Sequence, residues 1–250
     1  MLKIKLALYI LIFHSCMAYA QKFEWAELDL KAECGSDGKI IEGVLKYLAD
    51  TTSIDTEGVK KALKISDAEI FEHPFLLLSC KSAPGSLDYS EIQTLRMYLI
   101  SGGTIFINDR IGAKYTDFDS WVRRTLKLIM PDSELAFVRK EHPLLRSFFM
   151  INGPAGRFAW QSVPETVEYG GRAAVIYVKN DLLGMWLKDS FGNYLHPCIP
   201  GGEEQRAMGR KLFINIIMYS MTGSYKSDAV HQPYILEKLR IIDAGGSNKR

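Results

Sequence analysis

The chain has 250 residues, of which 47% are hydrophobic and 24% charged. This is the composition of an ordinary globular protein rather than a disordered or fibrous one. The 31 basic and 29 acidic residues nearly balance, so no strong positive field exists to attract nucleic acid, and nucleic-acid binding is disfavoured.

The first twenty residues have the pattern of a secretory signal peptide. A basic start precedes an apolar run over residues 6–13 and small residues at 18 and 20, as export signals require. The run is well short of the roughly 20 residues that a membrane-crossing helix needs, which disfavours a membrane anchor. A lipoprotein signal at Cys16 would need an aliphatic residue where Phe13 stands. We therefore predict an exported chain that is cleaved near Ala20, is periplasmic or extracellular, and has no transmembrane segment after cleavage.

The mature chain begins with alternating apolar and polar side chains over residues 23–30, which predicts a half-buried strand. Asp37 is a candidate helix cap, and apolar residues at helical spacing after it predict a helix over residues 38–50. Strand-like and helical pieces follow as far as Lys64. Residues 75–80 are apolar on both faces, which is typical of a buried, central parallel strand.

Residues 75–108 predict a βαβ unit with parallel strands. Asp88 and Glu91 have the spacing of a helix capping pair, and the double glycine at 102–103 ends that helix. A second buried strand follows at once over residues 104–108, and the crossover makes it parallel to the first. The predicted buried face of the helix consists of Ile92, Leu95, Leu99 and Ile100.

The remaining elements continue the alternation of strands and helices. Apolar spacing predicts a helix over residues 118–129, a strand over 135–138, and a long helix over about 203–219. Between them, residues 149–187 are β-rich, with a buried strand at 173–178, and indicate an insertion or an irregular sheet edge. The predicted fold is a three-layer α/β domain over residues 21–223, with a mostly parallel sheet flanked by helices, followed by a polar tail over 224–250.

Six short motifs in this order resemble a bacterial family, domain of unknown function 4159. They are HPFL at 73–76, LRMYL at 95–99, GGTIFIND at 102–109, MPD at 130–132, HPLLRSF at 142–148 and NIIMYSMTG at 215–223. They extend over nearly the whole mature chain. The resemblance implies a flavodoxin-like fold similar to that of class I glutamine amidotransferases, and it implies no function.

Three cysteines follow the predicted cleavage site, so at most one disulfide forms within a chain. We expect Cys34 to pair with Cys198, because both lie in loop-like sequence, although connectivity cannot be deduced from sequence. Cys80 is either a small buried residue or a nucleophile activated by Lys81 or by a histidine such as His142 or His196. Amidotransferases place their cysteine on a tight turn flanked by small residues, and the SCKS sequence around Cys80 departs from that pattern.

Ligands of open parallel sheets bind beyond the carboxyl ends of the strands, where this sequence is polar. Asp109 and Asp181 each follow a predicted strand, so the two carboxylates are candidates for a ligand site or, with His196, for a cation site. No HxH, HExxH or CxxC spacing supports a defined metal site, and none is predicted. The alternative is that both aspartates stabilise turns. The candidate ligand-binding residues are Asn108, Asp109, Arg110, Asn180, Asp181 and Trp186.

Two functions are open. The first is a noncatalytic binding or assembly domain of the cell envelope, whose partner is an envelope protein or a small molecule. The second is a hydrolase acting on a carbohydrate or amide through Cys80, Asp109, Asp181 or His196. No Gly-rich phosphate loop or dinucleotide fingerprint occurs, so ATP and NAD are not expected, and no cofactor is assigned.

Overall fold

The computed structural model describes residues 22–222. The predicted signal peptide and the predicted polar tail lie outside the described residues. Seven strands form one sheet: β1 Phe23–Leu28, β2 Thr56–Leu63, β3 Phe75–Cys80, β4 Thr104–Asp109, β5 Leu135–Phe137, β6 Glu165–Tyr169 and β7 Arg172–Val178. The α-helices are α1 Gly38–Thr51, α2 Tyr89–Ile100, α3 Asp117–Ile129 and α4 at residues 202–222. Short 3-10 turns cover Ala68–Glu72, Pro143–Leu145 and Gly184–Trp186.

The strand order is β2-β1-β3-β4-β7-β6-β5. The first five strands of this order run parallel, whereas β6 is antiparallel to β7 and β5 is antiparallel to β6. This confirms the predicted mostly parallel α/β sheet. The β-rich region 149–187 adds β6 and β7 to the main sheet, and β7 lies inside it beside β4.

Each face of the sheet carries its own hydrophobic core. The side chains of α1 and α4 pack on one face, together with Phe75, Leu77 and Phe106. The side chains of α2 and α3 pack on the other face, together with Leu76, Leu78 and neighbouring strand residues. Because successive strand side chains point to opposite faces, an uninterrupted apolar run such as β3 fills both cores at once.

The predicted βαβ unit is confirmed. Strands β3 and β4 pair in parallel from Phe75 with Thr104 to Cys80 with Asp109, so the two strands end level. The side chain of Asp88 accepts a hydrogen bond from the Glu91 amide, and the side chain of Glu91 accepts one from the Asp88 amide, each at 2.8 Å. This reciprocal capping box fixes the start of α2.

The predicted buried face of α2 is wrong at one position. Ile100 is 37% exposed, and Tyr98 is buried in its place. The Tyr98 hydroxyl donates to the His73 carbonyl at 2.8 Å, so a polar partner makes the burial of this ring possible.

None of the helices found between residues 22 and 222 combines the length and the hydrophobicity needed to cross a membrane.

Candidate functional site

The carboxyl ends of β3, β4 and β7 carry the predicted site residues, and alternation along β4 separates them into two clusters. Asn108 lies on the face covered by α1 and α4, as do Phe106 and Leu77, and its amide donates to Ser79 Oγ at 3.1 Å. Asp109 lies on the opposite face, where it meets the start of α3 through Thr116. The two neighbours therefore take part in different networks.

The first cluster centres on Asp181, which is fully buried. Asn108 Nδ2 donates to its Oδ1 at 3.3 Å, the Gly184 amide donates to the same oxygen at 2.8 Å, and Arg157 Nη1 donates to Oδ2 at 2.9 Å. The Leu182 amide also donates to Asn108 Oδ1 at 2.8 Å. A side chain on Gly184 would collide with the Asp181 carboxylate, so this glycine permits the close approach.

Asn180 forms a reciprocal pair with Gln161. Its side chain accepts from the Gln161 amide at 2.9 Å and donates to the Gln161 carbonyl at 2.8 Å. The Gln161 side chain in turn accepts from the Lys179 amide at 2.9 Å and donates to Glu165 at 2.6 Å. Asn180 therefore holds the loop before β6 against the end of β7.

The second cluster holds Asp109. One carboxylate oxygen accepts from the Ile111 amide at 2.9 Å and the other from the Thr116 hydroxyl at 2.7 Å. Thr116 is also the N-cap of α3, because its hydroxyl accepts from the Asp119 amide. Burial raises the pKa of Asp109, although these two hydrogen bonds and the charge of Lys179 act in the opposite direction.

A network of charged groups continues along α3. Asp119 pairs with Lys179 at 3.1 Å, and Arg123 pairs with Asp119 and with Glu165 at 3.1 and 2.8 Å. Burial alone would raise the pKa of Asp119, but the hydrogen bonds from Arg123 and Lys179 outweigh it and hold that pKa below its usual value. Asp119 and Glu165 are thus each paired with a cation of the same chain.

Cys80 is disulfide-bonded to Cys34, so the predicted pairing of Cys34 with Cys198 is wrong. β1 and β3 are neighbours in the sheet, and the loop after β1 reaches the end of β3, where Gly35 N donates to Ser79 O at 2.8 Å and Lys81 N to Glu33 O at 2.9 Å. The disulfide removes the free thiol that the nucleophile hypothesis for Cys80 requires. Cys198 is free and buried, and burial raises the pKa of its thiol, which disfavours the reactive thiolate.

The remaining predicted residues lie around these clusters. Arg110 donates to the Gly35 carbonyl at 2.5 Å and so ties the loop after β4 to the loop after β1. His196 is partly exposed, and burial followed by the positive charge of Arg157 lowers its pKa. Trp186 packs in the core beside Tyr47 of α1. Within residues 22–222, no three His, Cys, Asp or Glu side chains lie together in a way that could hold a metal ion.

Sequence reasoning missed several residues that complete these clusters. Arg157 and Gln161 lie in irregular loops, where no periodicity marks a buried position. Glu27 lies within β1 yet is buried, because Lys60, Trp25 and the Ser36 amide all bind its carboxylate. The alternation over residues 23–30 predicted a half-buried strand with Glu27 on its polar side, and this prediction is wrong, because β1 is buried on both faces from Trp25 to Leu28.

The fold and the site define a mostly parallel α/β domain whose strand-end acids are bound by the chain's own donors. A family model described as a domain of unknown function, DUF4159, matches residues 28–221. The chain therefore belongs to the DUF4159 family. A comparison with curated proteins finds no match. The likeness to class I glutamine amidotransferases stays a prediction.

Proposed function

We propose that this chain is a noncatalytic binding domain of the bacterial cell envelope. The observation that carries the proposal is the engagement of the strand-end acids: both oxygens of Asp109 and both oxygens of Asp181 accept hydrogen bonds from the chain itself. A general acid, general base or nucleophile needs a reacting atom within hydrogen-bond reach of a substrate. Cys80, the nucleophile considered in the hydrolase hypothesis, is bonded in a disulfide and has no free thiol.

The disulfide supports the envelope location. Structural disulfides persist in oxidising compartments such as the periplasm and are rare in the cytosol. The Cys34–Cys80 bond therefore agrees with the export predicted from residues 1–20.

A surface of aromatic and basic side chains beside the strand ends supports binding. Tyr115, in the loop after β4, is 80% exposed, and Trp160, in the loop before β6, is 43% exposed. The rings of Phe158 and Trp160 stack with centroids 5.8 Å apart, and Arg157 lies 4.9 Å from the Phe158 centroid. We call Lys114, Tyr115, Arg157, Phe158 and Trp160 the strand-end surface.

The two loops of the strand-end surface are held together. Gly112 has φ of +80° and lies directly against Phe158, whose ring would be 2.6 Å from a Cβ at that position. Lys179 reaches across from the end of β7, donates to the Lys114 carbonyl at 2.8 Å and lies 6.0 Å from the Tyr115 centroid. Aromatic residues and arginine are enriched at protein interfaces. Arg157 is already bound to Asp181, so the partner that fits is a protein with a partly apolar surface that carries an acid opposite Lys114.

In-cell photo-crosslinking tests the proposed function. A benzophenone amino acid replaces Trp160 in one variant and Tyr169 in a control variant. Tyr169 is similarly exposed, at 42%, but it lies next to the start of β7, at the opposite end of the strand from the strand-end surface.

We expect a discrete crosslinked protein band from the Trp160 variant and none from the Tyr169 variant. Equal labelling of both variants, or no band from either, would contradict a partner at the strand-end surface. Turnover of a carbohydrate or amide substrate that is abolished by Asp181→Asn in a folded protein would contradict the noncatalytic assignment.

A further inference from the structure

Arg210 on α4 is a partly buried cation that has no carboxylate partner in the described part of the chain. Its guanidinium lies among three aromatic rings, 5.2 Å from the centroid of Tyr194, 5.3 Å from that of Trp186 and 5.9 Å from that of Tyr47. Among residues 22–222 no carboxylate pairs with it, and its buried Nε has no hydrogen-bond acceptor. Burial lowers its pKa, although Tyr47 acts in the opposite direction.

A second unpartnered donor belongs to the same cluster. Trp186 is only 6% exposed, and its buried Nε1 finds no acceptor within the described part of the chain. A buried indole N–H usually has a partner, because leaving it unpaired costs free energy. Two unmet donors on neighbouring side chains indicate a place for an acceptor that residues 22–222 do not supply.

Arg206, one helical turn earlier, is an arginine whose hydrogen bonds are all made within the fold. Its Nε donates to Glu203 at 2.8 Å, and its two terminal nitrogens donate to the Met185 and His196 carbonyls. Every branch of the Arg206 guanidinium thus has a protein acceptor. Arg210 differs because its buried Nε has no acceptor among residues 22–222.

The charge around Tyr194 also favours an anion. Arg206 lies 3.8 Å and Lys188 lies 4.8 Å from the Tyr194 centroid, in addition to Arg210. Glu203 is paired with Arg206, and Asp189 accepts hydrogen bonds from the amides of its own loop. The cations around this ring therefore exceed the available acids.

We propose that Arg210 and the Trp186 indole N–H form a binding site for an oxyanion, the carboxylate or phosphate group of a ligand, within walls made by Tyr47 and Tyr194. The planar guanidinium provides paired donors that match either oxyanion. The site uses none of the residues of the strand-end surface, so its test is independent of the test for the proposed protein partner.

Titration of the purified protein with sodium phosphate and, separately, sodium acetate at constant ionic strength tests the site. The chain has four tryptophans, so the indole N–H signals form a small set in a ¹⁵N NMR spectrum, and Trp186→Phe assigns the relevant one. We expect a saturable shift of the Trp186 signal with at least one of the anions. Saturation by phosphate alone would indicate phosphorylated ligands, and saturation by acetate would indicate carboxylate ligands.

Arg210→Gln should raise the dissociation constant of the anion about tenfold or more, because the charge-assisted hydrogen bonds are lost. Arg210→Lys, which keeps the charge but not the planar fork, should raise it less, and this substitution serves as the second variant if Arg210→Gln fails to fold. The control Arg124→Gln removes an exposed arginine from α3, on the other face of the sheet, and should bind like the wild type. The site is disproved if neither anion saturates the wild-type signal, or if both Arg210 variants bind as tightly as the control.

Discussion

Asn108 and Asp109 show how one residue along a strand changes what a polar side chain can do. The sequence places them together at the end of β4, and Asp109 and Asp181 were assigned from the sequence to one candidate site. Because strand side chains alternate between faces, it is Asn108 that meets Asp181, while Asp109 faces α3. The position of both residues at a strand end was predictable, but their partners depend on the face to which each side chain points.

The raised pKa of Asp109 should make the unfolding free energy of the protein depend on pH. Burial places the folded-state pKa above the ordinary value of 3.8. The folded protein therefore holds this proton more tightly than the unfolded chain, and the stability contributed by this group is lost as pH rises from the ordinary value through the folded value. Asp109→Asn removes the titration and keeps an acceptor for the Ile111 amide.

We expect the difference in unfolding free energy between Asp109→Asn and wild type to shift in favour of the variant as pH rises from about 3 to about 7. Urea denaturation at several pH values measures it, with Asp117→Asn, an exposed site at the start of α3, as the control. A difference that stays constant with pH, or that shifts in favour of the wild type, would mean that Asp109 is not destabilised in its charged form.

At the scale of elements, the disulfide links two strands that are distant in sequence but adjacent in the sheet. It spans 46 residues between the loop after β1 and the end of β3. Closing a loop of this length is expected to stabilise the fold by about 4 kcal/mol, chiefly by restricting the unfolded chain.

The variant with both Cys34→Ser and Cys80→Ser should therefore unfold at a markedly lower urea concentration, with a loss of about 4 kcal/mol. Cys198→Ala, which leaves the disulfide intact, should lose much less. Urea denaturation with and without a reductant measures both effects. If the reductant leaves the wild-type midpoint unchanged under conditions in which thiol labelling shows complete reduction, the disulfide does not have this stabilising role.

Elements that carry their own local signals were predictable. Asp37, Asp88 and Thr116 each accept a backbone hydrogen bond at a helix start, and the first two were recognised from spacing alone. Relations between distant elements were not. The pairing of Cys34 with Cys80 depends on the adjacency of β1 and β3, which no local pattern reports.

The edge of the sheet was another limit of sequence reasoning. A strand over residues 135–138 was expected, and β5 is found at Leu135–Phe137, but its antiparallel pairing with β6 follows from sheet order. Hydrophobicity alone would have placed Phe137 in the core, but its side chain is 60% exposed at this edge.

At the scale of the whole molecule, Asp181 connects three separate parts of the chain. It binds Asn108 at the end of β4, the Gly184 amide in the turn after β7, and Arg157 in the loop before β6. A buried acid held in this way contributes to the cooperative unfolding of the domain, since its removal takes this acceptor from the Arg157 guanidinium and the Gly184 amide. We propose that this acid is structural and does not act on a substrate.

Urea denaturation of Asp181→Ala tests that claim most directly, with Asp132→Ala, an exposed site just after α3, as the control. We predict that Asp181→Ala loses about 3 kcal/mol of unfolding free energy, while Asp132→Ala stays within about 0.5 kcal/mol of wild type. Wild-type stability in Asp181→Ala would contradict a structural role for Asp181, because a carboxylate that the fold does not need would be free for a ligand or a reaction.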